Sequence, residues 1–167
     1  TTVLDIGSTS GLFLDSIGKK GTVLNIDEKC IEFINKKGIK TIKGNAESTG
    51  IKDNSFDYVC SFQCVEHLPN PIKALNEMGR IARKKVFISI PYKEKTRIYS
   101  LDYWKKVKKE NWGIQGEISI GDGHIFEFST EDFKKILSYT NLEYEKNQPI
   151  YFFDNKTKSR RYYNTFS

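Results

Sequence analysis

Asp5, Gly7, Ser8 and Gly11 stand where a short apolar stretch, Val3–Ile6, runs into a turn of small residues. Glycine at 7 and 11 lets the backbone approach a ligand with no Cβ in the way. The helix expected from Leu12 offers free N–H groups at its start. Asp27, with Glu28 beside it, follows the next apolar stretch, and an acid at that place bonds ribose hydroxyls. Asn45, Ala46 and Glu47 follow a third stretch, and Ser61, Phe62 and Gln63 close a fourth. The chain has 2 histidines, His67 and His124. A histidine titrates in the range useful for taking a proton from a hydroxyl. His124 follows the flexible run Gly121-Asp122-Gly123 and is the expected base. His67, beside Glu66, is placed among the residues that line the ligand.

Two kinds of ligand suit a glycine turn followed by an acid. A dinucleotide site wants G-x-G-x-x-G, and here Thr9 and Leu12 occupy the second and third glycine positions. Asp5 also opposes a pyrophosphate, because like charges repel. A phosphate-binding P-loop is excluded because no G-K-[ST] follows. A nucleoside with a cationic tail fits better, since the sulphonium and amino groups of S-adenosylmethionine (SAM) favour a nearby carboxylate such as Asp5.

The elements that must position these residues alternate. Strands are expected over Val3–Ile6, Val23–Ile26, Lys40–Lys43, Phe56–Phe62 and Val86–Ile90. A helix is expected over Leu12–Ile17, and another over Glu28–Lys37, ended by Gly38. A third helix starts at Pro71 and carries an apolar stripe of Ile72, Leu75, Met78 and Ile81. Such alternation predicts a mostly parallel twisted sheet with helices on both faces. Ser129-Thr130-Glu131-Asp132 opens a late helix that turns Phe133, Ile136 and Leu137 inward and ends near Asn141. Leu142–Glu145, Ile150–Phe153 and Tyr162–Phe166 are strand candidates whose lengths suit a closing antiparallel pair. Residues 92–123 break the rhythm and read as an insertion or cap within a single domain of residues 1–167.

Several of these segments together carry a family resemblance. Asp5-x-Gly7-x-x-x-Gly11 resembles the first motif of class I SAM-dependent methyltransferases, usually written D-x-G-x-G-x-G. Asn25-Ile26-Asp27 is similar to the second motif, whose acid holds the SAM ribose. Gly44-Asn45-Ala46-Glu47 resembles the segment that lies against the adenine. Ser55-Phe56-Asp57-Tyr58-Val59 and Ile88-Ser89-Ile90-Pro91 look like the fourth- and fifth-strand motifs. Val65-Glu66-His67-Leu68-Pro69-Asn70-Pro71 is close to the E-H-x-x-D-P motif of small-molecule methyltransferases, including those of quinone biosynthesis. Gly123-His124-Ile125-Phe126-Glu127-Phe128-Ser129 is similar to the stretch before their late helix.

That resemblance implies a Rossmann-like α/β fold with an antiparallel strand near the C-terminus, and SAM as cofactor. It implies SAM contact at Asp5, Gly7, Ser8, Gly11, Asp27, Glu28, Asn45, Ala46, Glu47, Ser61, Phe62, Gln63 and His67. It places His124 near a small-molecule acceptor, whose pocket the aromatic residues Tyr92, Tyr99, Tyr103, Trp104 and Trp112 are candidates to wall. The chain departs from the family at Thr9, where a side chain narrows the turn. Asn45 replaces an aspartate, Arg83-Lys84-Lys85 replaces Pro-Gly-Gly, and the helices that usually precede the first motif are absent.

The net charge is +6, with lysine runs such as Lys105-Lys106 and Lys108-Lys109. A solvated lysine face is the expectation, and a nucleic-acid acceptor is the alternative. No [DNS]-P-P-[YF] motif of the base methylases follows the fourth strand. No stretch is long and apolar enough to span a membrane, and no leader opens the chain, so a cytoplasmic setting is expected. Cys30, Cys60 and Cys64 have no zinc-like spacing and read as reduced thiols, and no metal is expected.

Overall fold

The computed structural model describes residues 1–91, 93–99, 112–115, 118–121, 124–154 and 159–167. The main sheet has seven strands. They are β1 (Val3–Ile6), β2 (Thr22–Asn25), β3 (Lys40–Lys43), β4 (Phe56–Phe62), β5 (Ala82–Pro91), β10 (Asn147–Asp154) and β11 (Ser159–Phe166), in the spatial order β10-β11-β5-β4-β1-β2-β3. β3, β2, β1, β4 and β5 are parallel. β11 runs antiparallel to both β5 and β10, the reversal expected near the C-terminus. Between β5 and β10, β6 (Arg97–Ile98) pairs with β9 (Phe126–Glu127), and β7 (Trp112–Gln115) pairs with β8 (Ile118–Gly121).

Alternation along each strand sends side chains to two separate cores. Leu4, Ile6, Leu24, Val59, Val86, Ile88 and Ile90 face α3 (Pro71–Ile81) and α4 (Thr130–Leu137). Val23 faces α1 (Leu12–Ser16) and α2 (Glu28–Lys36), meeting Leu14 and Ile34. On that second face the sheet also floors a cavity of about 740 Å³ over β4 and β5, lined by Phe13, Tyr58, Cys60, Phe62 and Phe87 among others.

The helix starts follow from capping chemistry. Asp27 caps α2, its side chain accepting from the N–H groups of Lys29 and Cys30. Asn70 caps α3 with Pro71 in its first turn, and Ser129 caps α4. Each cap satisfies N–H groups the helix itself leaves unpaired.

Four expectations need correction. Leu142–Glu145 is not a strand; the chain runs irregularly there and enters β10 at Asn147. Ile72 does not join the buried stripe of α3: it is half-exposed, and Ala74 packs with Leu75, Met78 and Ile81 instead. β2 stops at Asn25, leaving Ile26 exposed in the turn. β5 begins at Ala82 rather than Val86, directly where α3 ends. Arg83, Lys84 and Lys85, which stand in place of Pro-Gly-Gly, lie within this strand, and their charges have partners. Asp57 at the start of β4 lies 3.3 Å from Arg83 and 3.5 Å from Lys84, and Lys85 pairs with Glu145. Most of residues 92–123, including the side chains of Tyr92, Tyr103, Trp104 and Trp112 and the Gly121-Asp122-Gly123 turn, lies outside the described residues.

Candidate functional site

Five parallel strands that all end at one edge of the sheet bring their following loops together there. Residues 7–11, 26–28, 44–47 and 63–67 are therefore neighbours in space although far apart in sequence. Ligands of open α/β sheets bind beyond the carboxyl ends of the strands.

The turn after β1 is built around Gly7, with φ at 84°, and Gly11, with φ at 65°. Gly7 donates to the Leu24 carbonyl at 2.9 Å, which ties the turn to β2. Ser8 Oγ accepts from the Gly11 N–H at 3.1 Å, and Asn25 Nδ2 donates to the Ser8 carbonyl at 2.9 Å. The side chain of Ser8 and the amide of Asn25 thus hold the turn in shape. Asp5 lies behind it, 2% exposed, with Oδ2 lacking any hydrogen-bond partner. Burial pushes its carboxyl up to about 6, with the Ser8 hydroxyl pulling the other way. A cation beside Asp5 would supply the missing partner and favour the ionised form.

Asp27 is exposed, and its Oδ1 is used twice as the cap of α2, at 2.8 Å from the Lys29 N–H and 3.2 Å from the Cys30 N–H. The cap fixes the carboxylate at the end of β2. Glu28 next to it pairs with Lys43 at 3.1 Å. Asn45 uses its Oδ1 to accept from the Glu47 N–H at 2.9 Å, and Glu47 Oε1 accepts from the Asn70 N–H at 2.8 Å. Ala46 points into the core, 7% exposed. Asn45 and Glu47 therefore brace the loop after β3 against the start of α3.

At the end of β4, Ser61 is fully buried and donates to the Ile6 carbonyl at 3.3 Å. Phe62 meets Phe13 edge to face at 5.1 Å. Gln63 takes φ at 55°, and its side chain donates to Ser89 Oγ at 3.1 Å. The chain then makes one tight 3₁₀ turn, Val65–His67. Glu66 is fully buried, and neither carboxyl oxygen has a hydrogen-bond partner. Burial pushes it up to about 8, its own backbone N–H pulling the other way. The Ile125 N–H donates to the Glu66 carbonyl at 2.9 Å, docking the segment that carries His124 onto this turn. The rings of His67 and His124 meet edge to face at 4.8 Å.

Glu127 lies 3.8 Å from His124 Nδ1. Although burial pushes Glu127 upward, Lys93 at 2.9 Å and the Tyr99 hydroxyl at 2.9 Å hold it below the usual carboxylate range. A carboxylate beside an imidazole orients the ring.

Two residues outside the expected set belong to this region. Cys64 packs under the Gly7 turn, and burial pushes its thiol up to about 12. Glu66 stands in the Val65-Glu66-His67 stretch, but nothing in the spacing signals its complete burial. Ser61 and Ala46 are present as expected by position, yet their side chains face the protein rather than the loop edge.

The chain matches the family model described as a methyltransferase domain over residues 4–90. No curated protein matches the chain by sequence. Among solved structures, a Bacillus halodurans protein described as a methyltransferase is 19% identical, with 90% of this chain and 66% of that chain covered and a TM-score of 0.66. A SAM-dependent methyltransferase from Thermotoga maritima is 20% identical, with 99% and 80% covered and a TM-score of 0.68. The [4+2]-cyclase SpnF is 15% identical, with 89% and 54% covered and a TM-score of 0.67. The chain spans about two thirds of the length of the first of these and about half of the last. The cyclase has the fold with another reaction, so the fold alone does not set the chemistry.

Proposed function

The chain belongs to the methyltransferase domain family, and from that premise we propose that it moves a methyl group from SAM to an oxygen or nitrogen of a small-molecule acceptor. The observation that carries this reading is the charge at the two ends of the sheet. Asp5 and Glu127 lie at the carboxyl end, where the loops gather. The Arg83-Lys84-Lys85 run lies at the amino end, paired with Asp57 and Glu145. An acid-floored site favours a cationic donor and opposes a polyanionic acceptor such as RNA.

The residues present fit SAM. The orphaned Oδ2 of Asp5 lies behind a turn that Gly7 and Gly11 shape by their left-handed φ and their close packing on Cys64 and Ile39. Gly7, Ser8 and Gly11 would line the amino-acid tail, Asp27 and Glu28 the ribose, and Asn45, Ala46 and Glu47 the adenine. Ser61, Phe62, Gln63 and His67 would close the floor. When bound, the cofactor supplies an electrophilic methyl group on a sulphonium. The protein's own work is to position the acceptor in line with that group, exclude water, and take the acceptor's proton at His124, which Glu127 orients. No described helix is long and apolar enough to cross a membrane, and a cytoplasmic setting goes with this reading.

Calorimetric titration with S-adenosylhomocysteine and SAM, with NAD as control, tests the cofactor. Heat from the first two alone supports the reading, and heat from NAD alone sinks it. Transfer of labelled methyl from SAM into small-molecule fractions rather than RNA then tests the acceptor class. Label in RNA, with binding that weakens steeply in salt, would instead favour the nucleic-acid alternative.

A further inference from the structure

The chain's 2 histidines are far apart in sequence yet meet on one buried carboxyl group. Glu66, His67 and His124 each present one donor atom, and these atoms lie within 4.8 Å of one another. Two imidazole nitrogens and a carboxylate oxygen form the donor set of catalytic zinc centres and of other divalent sites that keep open positions.

Three further features point the same way. Glu66 is fully buried with both oxygens lacking a hydrogen-bond partner. Such a group is costly to bury without a compensating charge. The two histidines are only partly buried, and their rings already meet edge to face beside Glu66. A shared ion needs donors about 2.0–2.2 Å from it, so the three atoms, now within 4.8 Å of one another, must draw closer around it. Finally, Glu127 lies 3.8 Å from His124 Nδ1 and is itself held by Lys93 and Tyr99. Carboxylates placed beside ligating imidazoles are the usual outer support of metal centres.

We propose that Glu66, His67 and His124 form a divalent transition-metal site at the carboxyl end of β4, and that its open positions take an oxygen of the methyl acceptor. The first half stands on the cluster alone. The second half rests on the methyl-transfer reading, because the acceptor side of the site is where His124 lies. It changes the work of His124 from base to ligand: the cation's charge then eases loss of the acceptor's proton to water.

The test uses the full chain after removal of metals by a chelator. Zn²⁺ is titrated calorimetrically, and Co²⁺ binding is followed by its visible absorption. One ion per chain is expected, and Glu66→Gln and His124→Asn should each weaken it by more than about 10-fold, the loss seen on removing mere outer support. Glu66 is buried, so its variant is checked for folding; His124→Asn alters a partly exposed position and decides the matter if Glu66→Gln unfolds. Absence of Zn²⁺ binding, or unchanged affinity in His124→Asn, overturns the site. Acetohydroxamate, an oxygen-donor probe, should shift the Co²⁺ spectrum; no shift overturns the open-position half. S-adenosylhomocysteine is titrated in parallel. Its heat without metal binding sinks this inference alone, and metal binding without its heat sinks the methyl-transfer reading and the acceptor half with it, leaving the metal site standing.

Discussion

A Cβ placed on Gly7 would lie 2.2 Å from the Sγ of Cys64 and 2.7 Å from its Cβ. The first loop of the site therefore rests directly on the end of β4, and the two parts of the site are packed as one. Gly7→Ala combines this overlap with a left-handed φ of 84°. It should cost about 1–3 kcal/mol as an overpacked position, read as a lower melting temperature, and weaken S-adenosylhomocysteine. Gly18→Ala is the control, since Gly18 has φ at 77° and nothing within 4 Å. Adding Cys64→Ala to Gly7→Ala removes the Sγ overlap but leaves the Cβ one, so it should recover only part of the loss; no recovery would show that the Sγ overlap contributes nothing.

Asp27 caps α2, and its proposed second task is to bond the SAM ribose. Asp27→Ala removes the cap of α2 and should cost about 1 kcal/mol of stability. Asp27→Ser keeps a capping oxygen and should leave the melting temperature near that of the parent. Both variants should bind S-adenosylhomocysteine about 10-fold more weakly or worse, because charged hydrogen bonds to the ribose are lost. Full affinity in Asp27→Ser would reduce Asp27 to a helix cap.

The proposed place of Asp5 beside the cationic tail of SAM predicts pH-dependent binding. Burial raises its carboxyl from 3.8 to about 6. A raised acid contributes stability that is full below its unfolded value and lost as pH rises through the folded one. The ligand-free protein should thus lose some stability between about pH 4 and pH 6, and Asp5→Asn should not. The cationic ligand prefers the ionised form, so SAM affinity should rise over the same window and level off above it. A flat affinity profile in the parent protein would remove Asp5 from the site.

Glu77 supports the loop after β3 from below. It accepts from the Thr49 N–H at 2.8 Å, the Thr49 hydroxyl at 2.7 Å and Arg80 at 2.7 Å. Arg80 above all holds its carboxyl down from 4.5 to about 2. Here the sign is opposite: the stabilisation is present above the unfolded value and fades as pH falls towards the folded one. Glu77→Gln should cost about 1–3 kcal/mol near neutral pH, and its gap from the parent should narrow in acid. Melting curves across that range read the difference.

Much of the fold was legible in local pattern. β1, β3 and β4 stand over the short stretches expected for them, and α2, α3 and α4 begin after Asp27, Asn70 and Ser129 because capping is a short-range bond. β5 was placed too short because its first residues are charged, and their partner Asp57 is distant in sequence. Leu142–Glu145 has the composition of a strand, but the ladder with β11 starts only at Asn147, with the Glu145 N–H donating to the Ser167 carbonyl at 2.9 Å just before it.

The same division runs through the site. The residue types and the order Asp5, Gly7, Gly11, Asp27 and Asn45 are set by the sequence, as are the turns that hold them, because each depends on neighbours within a few residues. Only the tertiary structure decided that Glu66 is sealed from water, that Cys64 fills the space under Gly7, and that His67 and His124 face each other. Burial and cross-chain contact depend on how strands from distant parts of the chain are ordered in the sheet, and local pattern holds no record of that order.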